Sequence, residues 1–185
     1  MERSHVIRTI YSWRVRSALF GVIMSLVFSR PSRLSLIAGG CFSLIGLFIR
    51  AWASAHIRKE KELAVTGPYR YTRNPLYFGN FILGISMAVG GNALLPALIF
   101  GLYFLVFYPV VILVEKDRMQ KYFPRQYREY KTHVPLFLPR LNPSLDEEDS
   151  VVSFRLYWDN KEYRALIGTL VFWMILTAKF LISGH

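Results

Sequence analysis

Residues 93–114 read ALLPALIFGLYFLVFYPVVILV, and no charged side chain interrupts this stretch. About 20 mainly apolar residues in a helix are enough to cross the roughly 30 Å hydrocarbon core of a bilayer. Two other stretches, Leu34 to Ala55 and Ala165 to Ser183, are comparably long and contain a single charged residue each. Each of the three is therefore predicted to be a membrane-spanning helix of an all-α protein.

Two shorter apolar stretches are weaker candidates for spans. Val15 to Phe28 reaches full length only if Arg14 and Arg16 extend their charged ends to the lipid headgroups. Pro75 to Val89 is only about 22 Å long at 1.5 Å per residue, so one of its ends must stop inside the bilayer. Gly90-Gly91-Asn92 then closes a tight hairpin to the next span. The sequence thus predicts a polytopic bundle of about five spans. In the four-span alternative, Val15 to Phe28 lies on the membrane surface.

The composition also fits a membrane protein. Of the 185 residues, 53% are hydrophobic, and the formal net charge is +11. Such a charge is compatible with nucleic-acid binding, but the Lys and Arg residues lie in clusters between the apolar stretches and not on one continuous face. We therefore predict a lipid bilayer, and no nucleic acid, as partner. A single domain is predicted over residues 1–185, with its motifs in 51–140 and an additional C-terminal span in 165–183.

The positions of the basic residues predict the orientation, because Lys and Arg near span ends remain on the cytoplasmic side. Most of them fall in the N-terminal segment, in the loop before Pro75 and in the loop before Ala165. The N-terminus is therefore predicted to be cytoplasmic and His185 external, in a bacterial inner membrane or a membrane of the endoplasmic-reticulum type. The acidic run Asp146 to Asp149 is predicted to be a solvated linker in the last cytoplasmic loop.

The loop before the third apolar stretch contains ELAVTGPYRYTRNPLY, residues 62–77. Gly67 can adopt a positive φ, and Pro68 fixes the next φ. Asn74 suits an N-cap position, with Pro75 in the first turn of the following helix. The free N–H groups at such a helix start can hold an anion, for example a ligand carboxylate. The alternative is a structural interfacial loop with aromatic anchors.

The fourth apolar stretch is followed by EKDRMQKYFPRQYREY, residues 115–130. One helical face is predicted to point towards the bundle, and Pro124 to start a second short helix. The residues of that face are Glu115, Met119, Tyr122 and Phe123. The alternative is an amphipathic helix on the membrane surface. Glu115 argues against it, because an ionisable group at the mouth of an apolar span is costly unless it is paired or functional.

Together the two blocks resemble the signatures of the isoprenylcysteine carboxyl methyltransferase and phospholipid methyltransferase superfamily. There, G-P-Y-x-x-x-R-H-P-x-Y precedes a helical hairpin and E-E-x-x-L-x-x-x-F-G-x-x-Y-x-x-Y-x-x-x-V-P-x-x-x-P follows it. The matching positions are Gly67-Pro68-Tyr69, Arg73, Pro75, Tyr77, Glu115, Met119, Phe123, Tyr127, Tyr130, Val134-Pro135 and Pro139.

Four positions depart from this pattern. Asn74 replaces the His, Lys116 the second Glu, and Pro124 the Gly. Val111 stands where the carboxyl methyltransferases are expected to have an Arg that engages the acceptor's carboxylate. A valine cannot do so, which favours an amine or another neutral nucleophile over a prenylcysteine carboxylate.

The resemblance implies an enzyme that methylates a lipophilic acceptor entering from the bilayer, with S-adenosylmethionine as cofactor and no metal. It places Glu115 next to the reacting group, as the residue that orients it or takes its proton. The positions that it implies for cofactor binding are Leu63, Gly67, Tyr69, Arg73, Asn74, Pro75, Tyr77, Tyr127 and Tyr130.

Three basic side chains near the end of the second apolar stretch are less specific. His56 and Lys59 are placed to reach the cofactor's carboxylate, or they simply favour the helix dipole and the lipid headgroups. Arg50 is predicted to extend to the headgroups beside Trp52.

Two other functions are compatible with the sequence. One is a membrane reductase of the sterol-reductase type, which would use a nicotinamide cofactor in the corresponding place. The other is a membrane binding protein that retains the fold without turnover.

Overall fold

The computed structural model describes residues 2–58, 61–143 and 152–183. Lys59, the acidic run Asp146 to Asp149 and His185 lie outside the described residues, together with the predictions made for them. Every regular element in the described ranges is helical, so the all-α prediction is confirmed. The helices are α1 (Glu2–Phe28), α2 (Arg33–Ser54), α3 (Pro75–Gly91), α4 (Leu94–Tyr122), α5 (Pro124–His133), α6 (Phe154–Asp159) and α7 (Tyr163–Ile182), with a short 3₁₀ turn at Gly67–Arg70.

Three of the described helices, α2, α4 and α7, are long and apolar enough to cross a membrane. They coincide with the three long apolar stretches of the sequence and expose many apolar side chains, among them Leu34, Leu102 and Ile175. Such exposure is expected where lipid is the solvent. The chain is thus a helical membrane bundle. α3 is apolar but short, as predicted, with only 17 residues. α1 is not among the three helices that are long and apolar enough, so the count of five spans stays a prediction.

Small residues allow α2 and α3 to pack closely. A Cβ atom at Gly39 would lie 2.7 Å from the carbonyl oxygen of Ser86 and 2.8 Å from the backbone nitrogen of Gly90. A side chain there would push the two backbones apart, which is why membrane helices often meet through Gly, Ala and Ser. α1 packs against α4, and α7 packs against α2.

The hairpin between α3 and α4 turns at Asn92, whose φ of 46° lies in the left-handed region. The backbone N–H of Arg30 donates to the carbonyl of Gly91 at 2.7 Å, and the side-chain amide of Asn92 donates to the carbonyl of Arg30 at 3.1 Å. The predicted tight turn at Gly90-Gly91-Asn92 is confirmed, and the loop between α1 and α2 is held against it.

Lys179 of α7 connects that helix to the end of α1. Its Nζ donates to the carbonyl oxygens of Leu26 and Val27, both at 2.8 Å. The last carbonyls of a helix have no partner within the helix and carry partial negative charge. A cation at this position therefore stabilises the end of α1 and fixes α7 beside it.

α4 does not end near Val114, where the apolar stretch stops, but continues to Tyr122. Lys, Glu, Arg, Met and Gln are all good helix formers, so the helix leaves the apolar stretch without a break. Pro124 starts α5 immediately afterwards, as predicted. Glu115 consequently lies within a continuous helix, and the helical turns on both sides of it fix the position of its backbone.

The turn between α6 and α7 is hydrogen-bonded to the end of α2. The side-chain amide of Asn160 donates to the carbonyl oxygens of Ser54 and Ile57, both at 3.0 Å. Lys161 follows with a φ of 57°, and Glu162 directly precedes α7. The start of α7 is thereby held beside the last turn of α2.

Candidate functional site

The two motif blocks of the sequence are hydrogen-bonded to each other through their backbones. The N–H of Arg73 donates to the carbonyl of Pro135 at 2.9 Å, and the N–H of Arg140 donates to the carbonyl of Tyr71 at 3.1 Å. The loop before α3 and the segment after α5 therefore run side by side. This pairing explains why two blocks so far apart in the sequence form one signature.

Side chains strengthen the same contact. Thr72 Oγ1 donates to the carbonyl of Phe137 at 2.8 Å, and the Asn74 side-chain amide donates to the carbonyl of Leu136 at 2.8 Å. The N-cap prediction for Asn74 is right in position but wrong in role. Its side chain makes no capping hydrogen bond to α3, because the amide is used to hold the second block. Pro75, the first residue of α3, has no N–H, and the N–H groups of Tyr77 and Phe78 donate to the carbonyl of Asn74 at 3.1 and 3.0 Å.

The turn at Gly67 has the predicted positive φ, at 56°. A Cβ atom there would lie 2.5 Å from Nε2 of His56, whose Nδ1 is 2.8 Å from the carbonyl oxygen of Trp52. His56 is 7% exposed. The imidazole thus fills the space beneath the Gly67 turn.

A cavity of about 620 Å³ lies where the two blocks meet the helix ends. The resemblance implied several of the residues that line it: Leu63, Tyr69, Arg73, Asn74, Pro75, Tyr77, Glu115, Tyr127 and Tyr130. Gly67 and His56 form the turn next to the cavity and do not line it. Other lining residues were not assigned to a site from the sequence: Arg14, Arg50, Asn80, Tyr108, Asn160 and Glu162.

Three tyrosines of the cavity wall are almost fully buried. Tyr69, Tyr127 and Tyr130 are 6%, 3% and 5% exposed. The Tyr130 hydroxyl donates to the carbonyl of Tyr69 at 2.6 Å and so ties α5 to the loop. Burial raises the pKa of Tyr69 far above its ordinary value, and the negative charge of Glu115 adds to this; burial also raises the pKa of Tyr130. Both hydroxyls therefore keep their protons at neutral pH and remain hydrogen-bond donors.

Arg73 contributes a buried donor to the cavity. Its Nη1 donates to the Tyr127 hydroxyl at 3.2 Å, and its guanidinium carbon lies 5.8 Å from the centre of the Tyr127 ring. Its Nε is buried and has no hydrogen-bond partner among the described residues. A buried donor without a partner costs about 1–3 kcal/mol. An acceptor atom that reached this Nε would remove that cost.

The end of α4 presents one face to the cavity, as predicted. Val111, Glu115, Met119 and Phe123 all line it, one helical turn apart. Tyr122 was predicted to share this face, but its ring is 51% exposed and lies outside the wall. At 100° per residue, position 122 falls between positions 111 and 115 around the helix axis, so rotation does not account for its exposure; Tyr122 is the last residue of α4, at the end of this face.

Arg50 was predicted to extend to the lipid headgroups, but this prediction is wrong. The side chain is part of the cavity wall. Its Nε lies 2.5 Å from Glu162 Oε1 and its Nη2 lies 2.9 Å from Glu162 Oε2, while its Nη1 donates to the side-chain oxygen of Asn80. The side chains of Arg50 and Glu162 are only 14% and 8% exposed. The cost of a cation within a span is met here by a bidentate carboxylate, which matches the planar guanidinium.

Sequence reasoning could not find this pair, because 112 residues separate its two members. The available signal was the presence of Arg50 in an apolar stretch, which indicates a partner but does not identify it. Arg14, whose charged end would reach the headgroups if Val15 to Phe28 spans the bilayer, also lines the cavity. The Tyr103 hydroxyl donates to the carbonyl of Arg14 at 3.3 Å and joins α1 to α4 at this point.

The family model for phospholipid methyltransferases matches residues 36–126. Residues 36–126 belong to the phospholipid methyltransferase family. The resemblance seen in the sequence is thereby confirmed. The family segment runs from α2 to the first turn of α5 and contains both the loop before α3 and Glu115. Four residues of the cavity wall lie beyond its end: Tyr127, Tyr130, Asn160 and Glu162.

Two curated proteins are similar to about half of this chain. The nickel-cobalt-cadmium resistance protein NccN of Alcaligenes xylosoxydans xylosoxydans is 36% identical over 95 residues, which are 50% of this chain and 44% of the relative. The cobalt-zinc-cadmium resistance protein CzcN of Cupriavidus metallidurans is 33% identical over 95 residues, with the same coverage. The matched region is thus less than half the length of these relatives. No solved structure matches the chain.

Metal-binding residue types do not cluster in the part of the chain that the structure describes. No group of three or more His, Cys, Asp or Glu side chains comes together there. Cys41 is exposed on α2 and forms no disulfide.

Proposed function

We propose that this chain is a membrane-embedded methyltransferase that uses S-adenosylmethionine to methylate a lipophilic acceptor. The observation that carries the proposal is the convergence of both family blocks on one cavity. The loop before α3 and the end of α4 both contribute to its wall, and Arg73 and Glu115 both line it.

The residues of this cavity fit the proposed cofactor. Its volume lies within the range of about 300–1,000 Å³ that is usual for small-molecule sites. The guanidinium of Arg73, whose Nε has no partner among the described residues, suits the cofactor's carboxylate. The ring faces of Tyr69, Tyr77 and Tyr127 suit a cationic sulfonium group. When bound, S-adenosylmethionine supplies an electrophilic methyl group, and this transfer requires no metal.

The protein's own contribution is to position the acceptor and exclude water. Val111 and Met119 supply apolar wall on either side of Glu115. A carboxylate between apolar neighbours can hold an acceptor's ammonium group or accept its proton before methyl transfer. Alignment of two reactants in such a site accounts for a large part of the rate in many transfer reactions. We expect the acceptor to reach Glu115 from the bilayer, since apolar side chains cover the outside of α2, α4 and α7.

The test is methyl transfer by the full chain purified in detergent. Radiolabelled S-adenosylmethionine and a native lipid extract should give a labelled lipid, and Glu115→Gln should abolish the label while S-adenosylmethionine still binds. A chain that binds a nicotinamide cofactor and not S-adenosylmethionine would refute the proposal in favour of a reductase.

A part in metal resistance is a second candidate, favoured by the 36% identity to NccN. The two functions are compatible, because one describes a reaction and the other a cellular outcome. If both hold, a strain lacking the gene grows poorly with nickel, cobalt or cadmium, and the wild-type chain restores growth whereas Glu115→Gln does not. Restoration by Glu115→Gln would separate resistance from methyl transfer.

A further inference from the structure

Arg50 lies at a junction of three helices. The arginine comes from the last turns of α2, its acceptor Asn80 from α3, and its counter-ion Glu162 from the residue that precedes α7. Asn160, two residues before Glu162, is hydrogen-bonded to the end of α2 and sets the position of that carboxylate. All four side chains line the cavity.

The backbone of α3 is shaped to let the Arg50 side chain pass. A Cβ atom at Gly79 would lie 2.5 Å from Cγ of Arg50 and 3.1 Å from the carbonyl oxygen of Gly46. The stem of the arginine therefore runs directly over Gly79 to reach Asn80. This arrangement directs the guanidinium along the cavity wall and keeps it away from the lipid.

The charge of Arg50 is compensated where it meets the cavity. Both oxygens of Glu162 face the guanidinium, and both side chains are largely hidden from solvent. An anion entering the cavity would meet a neutral pair in place of a free cation, and it would also meet the carboxylate of Glu115. Val111, which lies in the same wall, offers no charge to replace it, so an anion would depend on the other cations of the wall, which are Arg14, Arg73, Lys116 and Arg118.

We propose that the Arg50–Glu162 pair determines which acceptor headgroups the cavity takes, with Glu162 preventing Arg50 from acting as a receptor for carboxylates. This proposal rests on the proposed function, in that the cavity is taken as the acceptor site. Neutral and cationic nucleophiles are accepted because the pair contributes no net charge. Loss of the Glu162 charge leaves Arg50 as an uncompensated cation beside the reacting position.

The experiment measures binding of a matched pair of probes to the full chain in detergent, without S-adenosylmethionine. The probes are N-acetyl farnesylcysteine, which carries a carboxylate, and its methyl ester, which does not. Glu162→Gln keeps the size of the side chain and removes its charge. We expect this variant to bind the carboxylate probe at least about tenfold more tightly than the wild type, with the ester unchanged within about twofold.

Two further variants assign the effect. Asp159→Asn removes the same charge three residues earlier, from a side chain that is 62% exposed and paired only loosely with Arg155 at 3.8 Å, so it should not change either affinity. The double variant Arg50→Gln with Glu162→Gln should lose the gain in affinity for the carboxylate probe, because the uncompensated Arg50 is gone. The other cations of the wall, Arg14 and Arg118 among them, remain in this variant, so a gain that came from them would persist. A gain that persists in the double variant would overturn the proposal, as would no gain in Glu162→Gln.

If Glu162→Gln does not fold, Arg50→Gln alone gives the converse test. It leaves Glu162 as an additional negative charge, so the carboxylate probe should bind about tenfold more weakly and the ester unchanged. Equal affinities for wild type and Arg50→Gln would overturn the proposal. Methyl transfer is measured separately: a selective gain in binding with no transfer to any lipid would refute the methyltransferase and leave the role of the pair intact.

Discussion

Arg73→Lys tests whether the cavity binds the cofactor where its wall contains an unpartnered donor. Lysine keeps the positive charge but lacks the Nε donor and the planar group that faces Tyr127. In the protein without ligand, the variant loses the 3.2 Å hydrogen bond to the Tyr127 hydroxyl, which contributes about 1 kcal/mol, and keeps a positive charge beside the Tyr127 ring in place of the guanidinium. It also removes a buried donor that had no partner among the described residues. The melting temperature without ligand should therefore change little.

The effect on ligand binding should be much larger. A hydrogen bond to a charged group contributes about 1.5–3 kcal/mol, and each 1.4 kcal/mol is a factor of ten in affinity. If the Nε of Arg73 donates to the carboxylate of S-adenosylmethionine, Arg73→Lys should raise the dissociation constant roughly 10- to 100-fold. Titration calorimetry of the detergent-purified chain measures this directly.

The matched control is Arg128→Lys on α5. Arg128 is exposed and lies beside Tyr127 in the sequence, but it does not line the cavity. It should bind S-adenosylmethionine with wild-type affinity. An Arg73→Lys dissociation constant within about twofold of wild type, in a chain that is folded, would refute the placement of the carboxylate at Arg73.

Four other predictions follow from particular contacts. Gly67→Ala should lower the melting temperature, because a φ of 56° costs a non-glycine residue about 1–2 kcal/mol and the new methyl group meets His56; adding His56→Ala should restore only the steric part, and full restoration would contradict the strain argument. Tyr130→Phe leaves the buried carbonyl of Tyr69 without its 2.6 Å donor and should cost about 1–3 kcal/mol in thermal unfolding; since the pKa of Tyr130 is raised from 10.0 by burial, wild-type stability is full below that pH and falls as pH rises beyond it, and the variant should fall less steeply. A reporter after His185 should be external and one near Ser144 cytoplasmic, and detection of both on one side would exclude an odd number of spans. Phosphatidylethanolamine should be methylated faster than N-acetyl farnesylcysteine in the same detergent, and strong turnover of the second alone would show that the argument from Val111 and Glu115 was wrong.

Hydropathy was sufficient to locate the three long apolar helices α2, α4 and α7, because the length and composition of an apolar stretch are local properties. It failed at Val114, where α4 continues into a charged sequence, since helix formation does not depend on hydrophobicity. The Gly67 turn and the start of α5 were also predictable, because Gly and Pro restrict the backbone at their own positions. These successes concern features that a few neighbouring residues decide.

The cavity was predictable only where the two family blocks are read together. The hydrogen bonds between Arg73 and Pro135, or between Asn74 and Leu136, join residues about sixty positions apart, and nothing in either block alone indicates the other. The role of Asn74 was therefore misjudged: an Asn before a Pro fits an N-cap locally, whereas the long-range contact uses its amide elsewhere. Arg50 was misjudged for the same reason, since its partner lies across the bundle.

The limits of the family segment are not the limits of the site. Residues 36–126 supply Arg50, Asn80 and Glu115, but the counter-ion of Arg50 comes from Glu162, beyond the segment's end. An arginine in a membrane span needs a partner wherever it occurs, so a chain with Arg50 and without Glu162 would have to pair it with Glu115 or with a ligand. Either outcome changes the charge that an acceptor meets. On the proposed role of the pair, two proteins with the same family segment would differ in acceptor because of a residue outside it, and the residue that precedes α7 would take part in specificity although α7 carries no motif.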